Sequence, residues 1–165
     1  MAISDAQEWA AYVVLPEVKQ FTSTVAQSAA DLIPMIERTL SGDPNAPVLF
    51  SVREARSGQF VASVGFHTVS SLNRTAEVTY TVRPALWGRG LATLACAAAV
   101  RWAFEYKRWV RVQATTLEEH LASQRVLLKC GFKLEGKLHN FRIVRGQPRD
   151  FLLYASIPHP EAGAA

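Results

Sequence analysis

Apolar residues recur at two spacings along the chain, and the change of spacing separates strands from helices. In residues 76–82 apolar and polar positions alternate, which is typical of a strand with two different faces. From residue 90 to residue 106 apolar residues return every three or four positions, which is typical of a helix. The patterns predict strands at residues 48–54, 60–67, 76–82, 110–115, 132–144 and 149–157, and helices at residues 90–106 and 118–129.

Capping residues indicate two further helices at the start of the chain. Ser4 and Asp5 are typical of a helix start, and the helix that they begin is expected to end before Pro16. A second helix is predicted to begin at Ser28, because Asp31 stands three residues later in the position of a capping box.

Nothing in the order of these elements divides the chain. Two helices, three strands, a helix, a strand, a helix and a final hairpin predict a single α/β domain over residues 1–165, with a frayed tail at residues 158–165. No window approaches the roughly 18 uninterrupted apolar residues of a membrane span. The first residues lack the layout of a signal peptide, so we expect a cytoplasmic protein.

Charge, cysteines and histidines restrict the chemistry. The net charge of +4, from 18 basic and 14 acidic residues, suits an anionic ligand, and no recognition helix or stacking motif favours nucleic acid. Cys96 and Cys130 lie on two predicted helices and are interpreted as buried free thiols, with no CxxC pair to suggest a metal site. His67, His139 and His159 show no ligand spacing and are interpreted as surface or satisfied groups.

The turn before the alanine-rich helix is the strongest candidate for a binding site. A strand ends near Pro84, glycines follow at positions 88 and 90, and a helix begins. Glycine allows a close backbone approach, and free N–H groups at a helix start attract anions. Arg89 adds a cation in the same turn. A short Gly-x-Gly is also typical of an ordinary tight turn, and the segment is neither a Walker loop nor a complete dinucleotide fingerprint.

At this point the sequence resembles the GNAT N-acetyltransferase superfamily, and within it the RimJ/RimL-like branch. In that branch the turn often has the sequence Pro-x-x-Trp-Gly-x-Gly-x-Ala-Thr, and residues 84–93 match this pattern. Further matches at the family's spacing are His120, Ser123, Arg125, Lys129, Gly131, Phe132, Glu135, Gly136, Gly146, Asp150 and Tyr154. The resemblance covers roughly residues 5–157, and three separately spaced motifs agree.

The resemblance implies a fold and an activity. The fold would be the three-layer α/β (α+β) GNAT fold, with a mixed, mostly antiparallel twisted sheet of about six strands, about four helices and splayed central strands. The activity would be transfer of an acyl group, above all acetyl from acetyl-CoA, to a primary amine in a ternary complex. The acceptor would be a protein N-terminus or a small amine such as a polyamine, an aminoglycoside or an amino acid, and a longer acyl group is an alternative.

The resemblance also implies which residues hold the cofactor. The backbone of Tyr80, Thr81 and Val82 would pair with the pantetheine arm, and His120 would bond its amide where the branch usually has asparagine. The pyrophosphate would lie on the turn formed by Trp87, Gly88, Arg89, Gly90, Leu91, Ala92 and Thr93. Arg125 or Lys129 would reach the adenosine phosphate, although a solvated surface charge is an equal interpretation of either residue. His120 could also titrate near neutral pH.

Two residues are the candidates for proton transfer. Glu77 occupies the strand position where several GNAT enzymes place their base, and burial would raise its pKa as a base requires. Its alternatives are a carboxylate paired with an arginine, or a mechanism through water. Ser123 matches the serine that the branch uses as general acid to the CoA sulfur, or it bonds within its own helix. Because Leu127 replaces the tyrosine of other branches, Ser123 is expected to be the only local proton donor.

Two departures from the family pattern bear on function. Arg142 stands where one subset of the branch has a catalytic glutamate. The edge strand that normally precedes the first helix is not apparent, so either the true start lies upstream or the sheet is one strand short. A shortened sheet would expose an edge that a second copy could cover in a homodimer. An acyl-CoA-binding pseudoenzyme that serves as a sensor is therefore an alternative to the enzyme.

Overall fold

The computed structural model describes residues 1–22 and 26–158. Its helices are α1 (Ala6–Val13), α2 (Pro16–Lys19), α3 (Ile33–Thr39), α4 (Leu91–Glu105) and α5 (Leu121–Lys129), with 3-10 turns at Ile3–Asp5 and Pro84–Leu86. Its strands are β1 (Val48–Arg53), β2 (Phe60–Ser70), β3 (Thr75–Val82), β4 (Arg111–Leu117), β5 (Lys133–Val144) and β6 (Gln147–Ser156). The predicted tail lies outside the described residues from position 159 onward, and it includes His159.

All six strands form one sheet in the order β1-β2-β3-β4-β6-β5. Neighbouring strands are antiparallel except for β3 and β4, which are parallel. Parallel neighbours need a long crossover, and α4 supplies it between these two strands. The prediction of a mixed and mostly antiparallel sheet is confirmed.

The parallel pair β3 and β4 separates soon after it forms. Only Thr75, Ala76 and Glu77 of β3 pair with β4, opposite Arg111, Val112 and Gln113. Beyond Glu77, β3 continues to Val82 beside β2 alone. The backbone on its other edge therefore has no strand partner, and a gap opens in the middle of the sheet.

Alternation along the strands places the helices in two layers. Val64, Phe66 and Val78 pack against the α4 side chains Cys96 and Val100, in a core that also includes Leu127 of α5. Leu49 faces the other way and packs with Trp9, Tyr12 and Ile36 of α1 and α3. Because successive strand residues point to opposite faces, one sheet can support both layers. The predicted three-layer arrangement is confirmed.

The first predicted helices were wrong in detail. A short helix, α2, begins at Pro16, which had been interpreted only as a helix end; proline is in fact well suited to a first helical position. The next helix begins at Ile33 rather than Ser28. The Asp31 carboxylate accepts hydrogen bonds from the N–H groups of Gln27 and Ser28, so it closes a turn ahead of the helix instead of capping it.

The remaining boundaries differ by a few residues. Helix α5 begins at Leu121 rather than at residue 118, because the N–H of His120 donates to the carbonyl of Leu117 in a separate turn. The final hairpin is tighter than predicted, since Arg145 and Gly146 both adopt positive φ and form its turn. Such turns match the twist of the strands that they join.

The edge strand β1 is tied to the start of the chain. The Met1 ammonium donates to the carbonyl of Leu49 at 2.8 Å. The Asp5 carboxylate makes no cap bond to α1; it accepts hydrogen bonds from the N–H of Ala2 and from Ser51 and Arg53 of β1. In the described part of the chain, no helix is both long and apolar enough to cross a membrane.

Candidate active site

A cavity of about 410 Å³ occupies the gap where β3 and β4 separate. Its walls are the second half of β3, the start of α4, helix α5, helix α2 and the segment that follows α2. The predicted cofactor residues that line it are Tyr80, Thr81, Val82, Trp87, Gly88, Gly90, Leu91, Ala92, Thr93, His120, Ser123, Arg125 and Lys129. Arg89 is the one member of the predicted set that does not line it.

The glycine turn presents backbone donors to this cavity. Gly88 and Gly90 have φ of 77° and 78°, a conformation that side chains disfavour, and an added Cβ at either position would meet nothing within 4 Å. The first bond of α4 runs from the N–H of Leu94 to the carbonyl of Gly90. The N–H groups of Leu91, Ala92 and Thr93 therefore have no partner within the helix and are available to an anion.

Side chains around the turn fix its position. The indole Nε1 of Trp87 donates to the carbonyl of Val82 at 2.7 Å, which joins the turn to the end of β3. On the opposite face of β3, Trp9 and Tyr12 of α1 bond Thr81 at 3.3 and 3.1 Å. The cavity wall is thus held from both faces of the sheet.

Tyr80 and Ser123 meet inside the cavity. The Tyr80 hydroxyl lies 2.9 Å from Ser123 Oγ and 3.3 Å from the carbonyl of Ser123. Burial raises the pKa of Tyr80, so the phenol remains protonated. The expectation that Ser123 is the only local proton donor was therefore wrong. The sequence motif predicts a role only for the backbone of Tyr80. The contact of its hydroxyl with Ser123 depends on how closely β3 approaches α5, which the motif does not specify.

His120 contributes a neutral ring to the same cavity. Burial lowers its pKa to about 4, so the imidazole is uncharged at neutral pH and can donate one hydrogen bond, as asparagine would. Its ring stacks on Phe21, with centroids 4.1 Å apart and planes 14° apart. Of the two interpretations of His120, replacement of asparagine as a hydrogen-bond donor fits this neutral ring, and titration near neutral pH does not.

Several cavity residues were missed by the sequence analysis. Glu17, Val18, Phe21 and Thr22 come from α2 and the segment after it, and Leu86, Ala122 and Val126 complete the set. The proline at the start of α2 was the one signal that could have indicated a helix there.

Charges and thiols lie at the border of the cavity. Arg125 and Lys129 are both exposed at its rim, and neither forms an ion pair with any of residues 1–22 and 26–158. Cys96 is fully buried in α4, and Cys130 follows α5 with its thiol donating to the carbonyl of Thr93 at 3.5 Å. Both cysteines are free. Over the described ranges, no group of three potential ligands is arranged to hold a metal ion.

Glu77 lies on the opposite face of β3 from Tyr80, at the point where the strands separate. Its side chain is only 4% exposed. One carboxylate oxygen, Oε1, accepts hydrogen bonds from Thr115 at 2.5 Å and from Arg142 at 2.9 Å, and Gln113 reaches the other oxygen at 3.5 Å. The structure therefore combines two expectations for Glu77, since it is buried and also paired with an arginine.

Arg142 and His67 complete a polar cluster around Glu77. The Arg142 guanidinium packs over the rings of Phe141 and Phe151, at 5.0 and 5.6 Å from their centroids. His67 places Nε2 at 3.6 Å from Glu77 Oε1. Burial lowers the pKa of His67; the charge of Glu77 opposes this effect and that of Arg142 adds to it. His67 is thus a half-buried member of this cluster, and His139 is an exposed partner of Asp150.

Comparisons with known proteins identify the family. The family model described as "Acetyltransferase (GNAT) domain" matches residues 1–133. An uncharacterized N-acetyltransferase, YoaA of Bacillus subtilis (strain 168), is 27% identical over 110 residues, which are 67% of this chain and 62% of that protein. This chain therefore matches less than two thirds of that relative's length.

Solved structures agree in fold. Ribosomal-protein-S5-alanine acetyltransferase from Vibrio fischeri has a TM-score of 0.85 at 18% identity, covering 95% of this chain and 90% of its own. Spermidine N-acetyltransferase from Vibrio cholerae, in complex with CoA and spermine, has a TM-score of 0.84 at 16% identity, covering 95% and 92%.

The family match spans most of the chain, and the fold agrees along nearly all of it. The predicted GNAT fold is confirmed, and the family match agrees with the predicted class of enzyme, an N-acetyltransferase. This chain belongs to the acetyltransferase (GNAT) domain family.

Proposed function

We propose that this chain transfers acetyl from acetyl-CoA to a primary amine by direct attack in a ternary complex. The observation that carries this proposal is the cavity between the separated strands. The cavity is lined by the unpaired backbone edge of β3, by free N–H groups at the start of α4 and by the hydroxyls of Tyr80 and Ser123. The buried carboxylate of Glu77 lies where β3 and β4 separate. An extended, anionic thioester such as acetyl-CoA can pair with the backbone edge and the N–H groups, and an amine can give a proton to the carboxylate.

The donor lies along the cavity. Amide groups of the pantetheine arm pair with the free backbone edge of Tyr80, Thr81 and Val82, and His120 donates to the arm from α5. The pyrophosphate accepts from the N–H groups between Gly88 and Thr93, where the helix dipole also favours negative charge. Arg125 and Lys129 at the rim attract the adenosine phosphate. Arg89, outside the cavity lining, contributes long-range attraction to the same anion.

The chemistry then needs three groups in order. The acceptor ammonium loses a proton towards Glu77, and its nitrogen attacks the thioester carbonyl carbon. Backbone N–H groups stabilise the tetrahedral oxyanion. The carbon–sulfur bond breaks, and the thiolate of CoA takes a proton from Ser123. The attached nitrogen loses its second proton, which restores the Ser123 hydroxyl. The products are the acetylated amine and CoA, with the amine's proton released on the Glu77 side.

Tyr80 supports Ser123 in the acid role. When the Tyr80 hydroxyl donates to Ser123 Oγ, the serine hydrogen is free to point into the cavity. We expect Ser123→Ala to lower kcat by about 10²-fold, the usual contribution of a general acid. Tyr80→Phe should have a smaller effect, and acetyl-CoA affinity should change little in either. Ser57→Ala, at an exposed hairpin serine, is the matched control. Unchanged kcat in Ser123→Ala would exclude the acid role.

Two acceptor classes remain, a protein N-terminus and a small amine. The Vibrio fischeri neighbour is named for an alanine of ribosomal protein S5, and a Vibrio cholerae neighbour was solved with spermine. Acetyl is proposed over a longer acyl group because the relatives are named acetyltransferases. A cytoplasmic location belongs to the same proposal, since the donor is acetyl-CoA.

Calorimetry and a thiol-release assay test the proposal together. Acetyl-CoA and CoA are titrated into the protein, and CoA release is then followed with peptides that begin with alanine or serine, with spermidine, with a free amino acid and with an aminoglycoside. Butyryl-CoA tests the acyl preference. Tight binding of acetyl-CoA without release on any amine would favour the acyl-CoA-binding sensor. Absence of binding would contradict the donor site itself.

A homodimer is a further part of the proposal. Strand β5, with twelve residues, forms one edge of the sheet and carries exposed apolar side chains at Leu134, Phe141 and Ile143. An uncovered edge of this length is a template for pairing with another strand. Analytical ultracentrifugation should show a dimer, and a monomer at tens of micromolar protein would contradict it.

A further inference from the structure

His67 lies directly opposite Glu77 in the pairing of β2 with β3, so both side chains project from the same face. The His67 side chain is 34% exposed and that of Glu77 is 4% exposed. His67 Nε2 is 3.6 Å from Glu77 Oε1, and His67 Nδ1 is 2.8 Å from Thr68 Oγ1. The ring therefore connects a buried carboxylate to the protein surface.

The backbone beside His67 is held in an unusual conformation. Thr68 has a φ of 51°, which is rare for a β-branched residue. The register of β2 against β3 also shifts between His67 and Ser70, so a bulge begins here. Bulges often redirect a side chain next to an active site. A positive φ at Thr68 costs conformational free energy. The same conformation holds Thr68 Oγ1 against the His67 ring.

The contacts of Glu77 leave one route for a proton. Thr115 and Gln113 donate hydrogen bonds to the carboxylate, and Arg142 is a permanent cation that cannot accept a proton. Among the described neighbours of Glu77, His67 is the residue whose side chain can take up a proton near neutral pH. The ionised groups that face its ring are Glu77 on β3 and Arg142 on β5.

We infer that Glu77 and His67 form a proton-accepting dyad that serves the proposed acetyl transfer. The acceptor ammonium gives a proton to the Glu77 carboxylate and becomes the neutral amine that attacks the thioester. Glu77 passes the proton to an imidazole nitrogen of His67, and the imidazolium releases it to water. Both residues then return to their starting states. Because His67 acts through Glu77, it is a positioning and relay residue.

The pH dependence of kcat distinguishes this relay from a structural role. The neutral ring is the active form, so activity is lost as the pH falls through the pKa of His67, which lies below the ordinary 6.5. We expect His67→Gln to lower kcat by about 10²-fold, as for loss of a general base, and to remove this acidic limb. His139→Gln, at an exposed histidine 76% accessible, should keep the rate and profile of the parent chain.

A double-mutant cycle tests whether the pair acts as a unit. Residues that act together are strongly non-additive, so His67→Gln in the Glu77→Gln background should cost less than about threefold further. The assay uses acetyl-CoA and whichever panel amine the parent chain acetylates. Thermal unfolding and acetyl-CoA titration of each variant show whether it has folded.

A second measurement is independent of turnover. Nuclear magnetic resonance titration of His67 in the acetyl-CoA complex should show a lower pKa in Glu77→Gln, because the negative charge that favours the imidazolium is lost. An unchanged His67 pKa, or a folded His67→Gln variant with the rate and acidic limb of the parent, would overturn the dyad. If the parent chain acetylates no amine, the proposed function fails instead, and the dyad fails with it.

Discussion

The two faces of β3 carry two different kinds of site. The face that holds Tyr80 opens on the cavity, which is lined by backbone N–H groups, hydroxyls and the neutral ring of His120. The face that holds Glu77 carries a carboxylate, a guanidinium and a histidine in mutual contact. Only two residues, Val78 and Thr79, lie between Glu77 and Tyr80 along the strand.

We expect this difference to separate acetyl-CoA binding from proton transfer. Backbone donors at a helix start hold an anion by geometry and by the helix dipole, and they do not titrate. A cluster of ionisable groups responds to pH and to the loss of any one member. Changes on the cavity face should therefore alter acetyl-CoA affinity, and changes in the Glu77 cluster should alter turnover.

The largest expected effect follows from Glu77→Gln. The amide keeps the size of the side chain and can still accept a bond from Thr115, but it cannot take a proton. We expect kcat to fall by about 10²- to 10³-fold, within the range of general-base losses, while acetyl-CoA affinity changes less than about twofold. Steady-state kinetics and calorimetry measure the two quantities on the same preparation.

The matched control is Glu135→Gln. Glu135 also pairs with an arginine, Arg111, but it does so on the exposed surface of β5. Removal of an exposed ion pair costs little, so this variant should retain activity. If Glu77→Gln keeps its turnover, or loses acetyl-CoA binding in proportion to kcat, the separation between the two faces is contradicted.

A smaller effect is expected at the glycine turn. Gly90 and Gly58 both have positive φ, 78° and 70°, with open space around an added Cβ. Alanine at either position should cost roughly 1–2 kcal/mol in the free energy of unfolding because of the left-handed conformation. Only Gly90→Ala should also weaken acetyl-CoA, by about tenfold, since one backbone bond to a charged phosphate is worth roughly 1.5–3 kcal/mol.

The comparison between these two glycines removes the effect of backbone strain. Gly58 lies in the hairpin between β1 and β2, away from the cavity. Chemical denaturation gives the stability of each variant, and calorimetry gives its acetyl-CoA affinity. Equal loss of affinity in both variants would mean that the turn acts through the general stability of the fold rather than as a phosphate site.

The residues that line the cavity could largely be predicted from the sequence because their signals are local. The glycine turn is contained in ten consecutive residues, and the α5 residues follow at fixed helical spacing. The alternation of apolar and polar residues in β3 also predicts that Glu77 and Tyr80 lie on opposite faces. Local motifs of this kind can be interpreted without knowing the order of the strands in the sheet.

The Glu77 cluster could not be predicted because its members meet only through the sheet. Arg142 lies 65 residues from Glu77 in the sequence and reaches it from β5, which is separated from β4 by β6. The contact of His67 with Glu77 depends on the register of β2 against β3. A shift of one residue would move His67 to the other face, and no local pattern specifies that register.

Phe21 offers the smallest and most specific test of the cavity face. Its stacking on His120 should be worth roughly 0.5–1.5 kcal/mol, so Phe21→Ala should raise the KM for acetyl-CoA only a few-fold. Water would then reach the imidazole, and the pKa of His120 should rise from about 4 towards the ordinary 6.5. Nuclear magnetic resonance titration of His120 follows this change directly.

The same variant changes how stability depends on pH. In the parent chain the folded state resists protonation of His120, so stability falls as the pH drops from 6.5 to about 4, where the unfolded state binds the extra proton. In Phe21→Ala this decrease in stability should be smaller, because His120 in the folded state then takes up the proton more readily. Tyr106→Ala removes an exposed aromatic ring at the far end of α4 and should change neither property. A His120 pKa that stays near 4 in Phe21→Ala would mean that burial by α5 and the cavity wall, rather than stacking on Phe21, keeps the ring neutral.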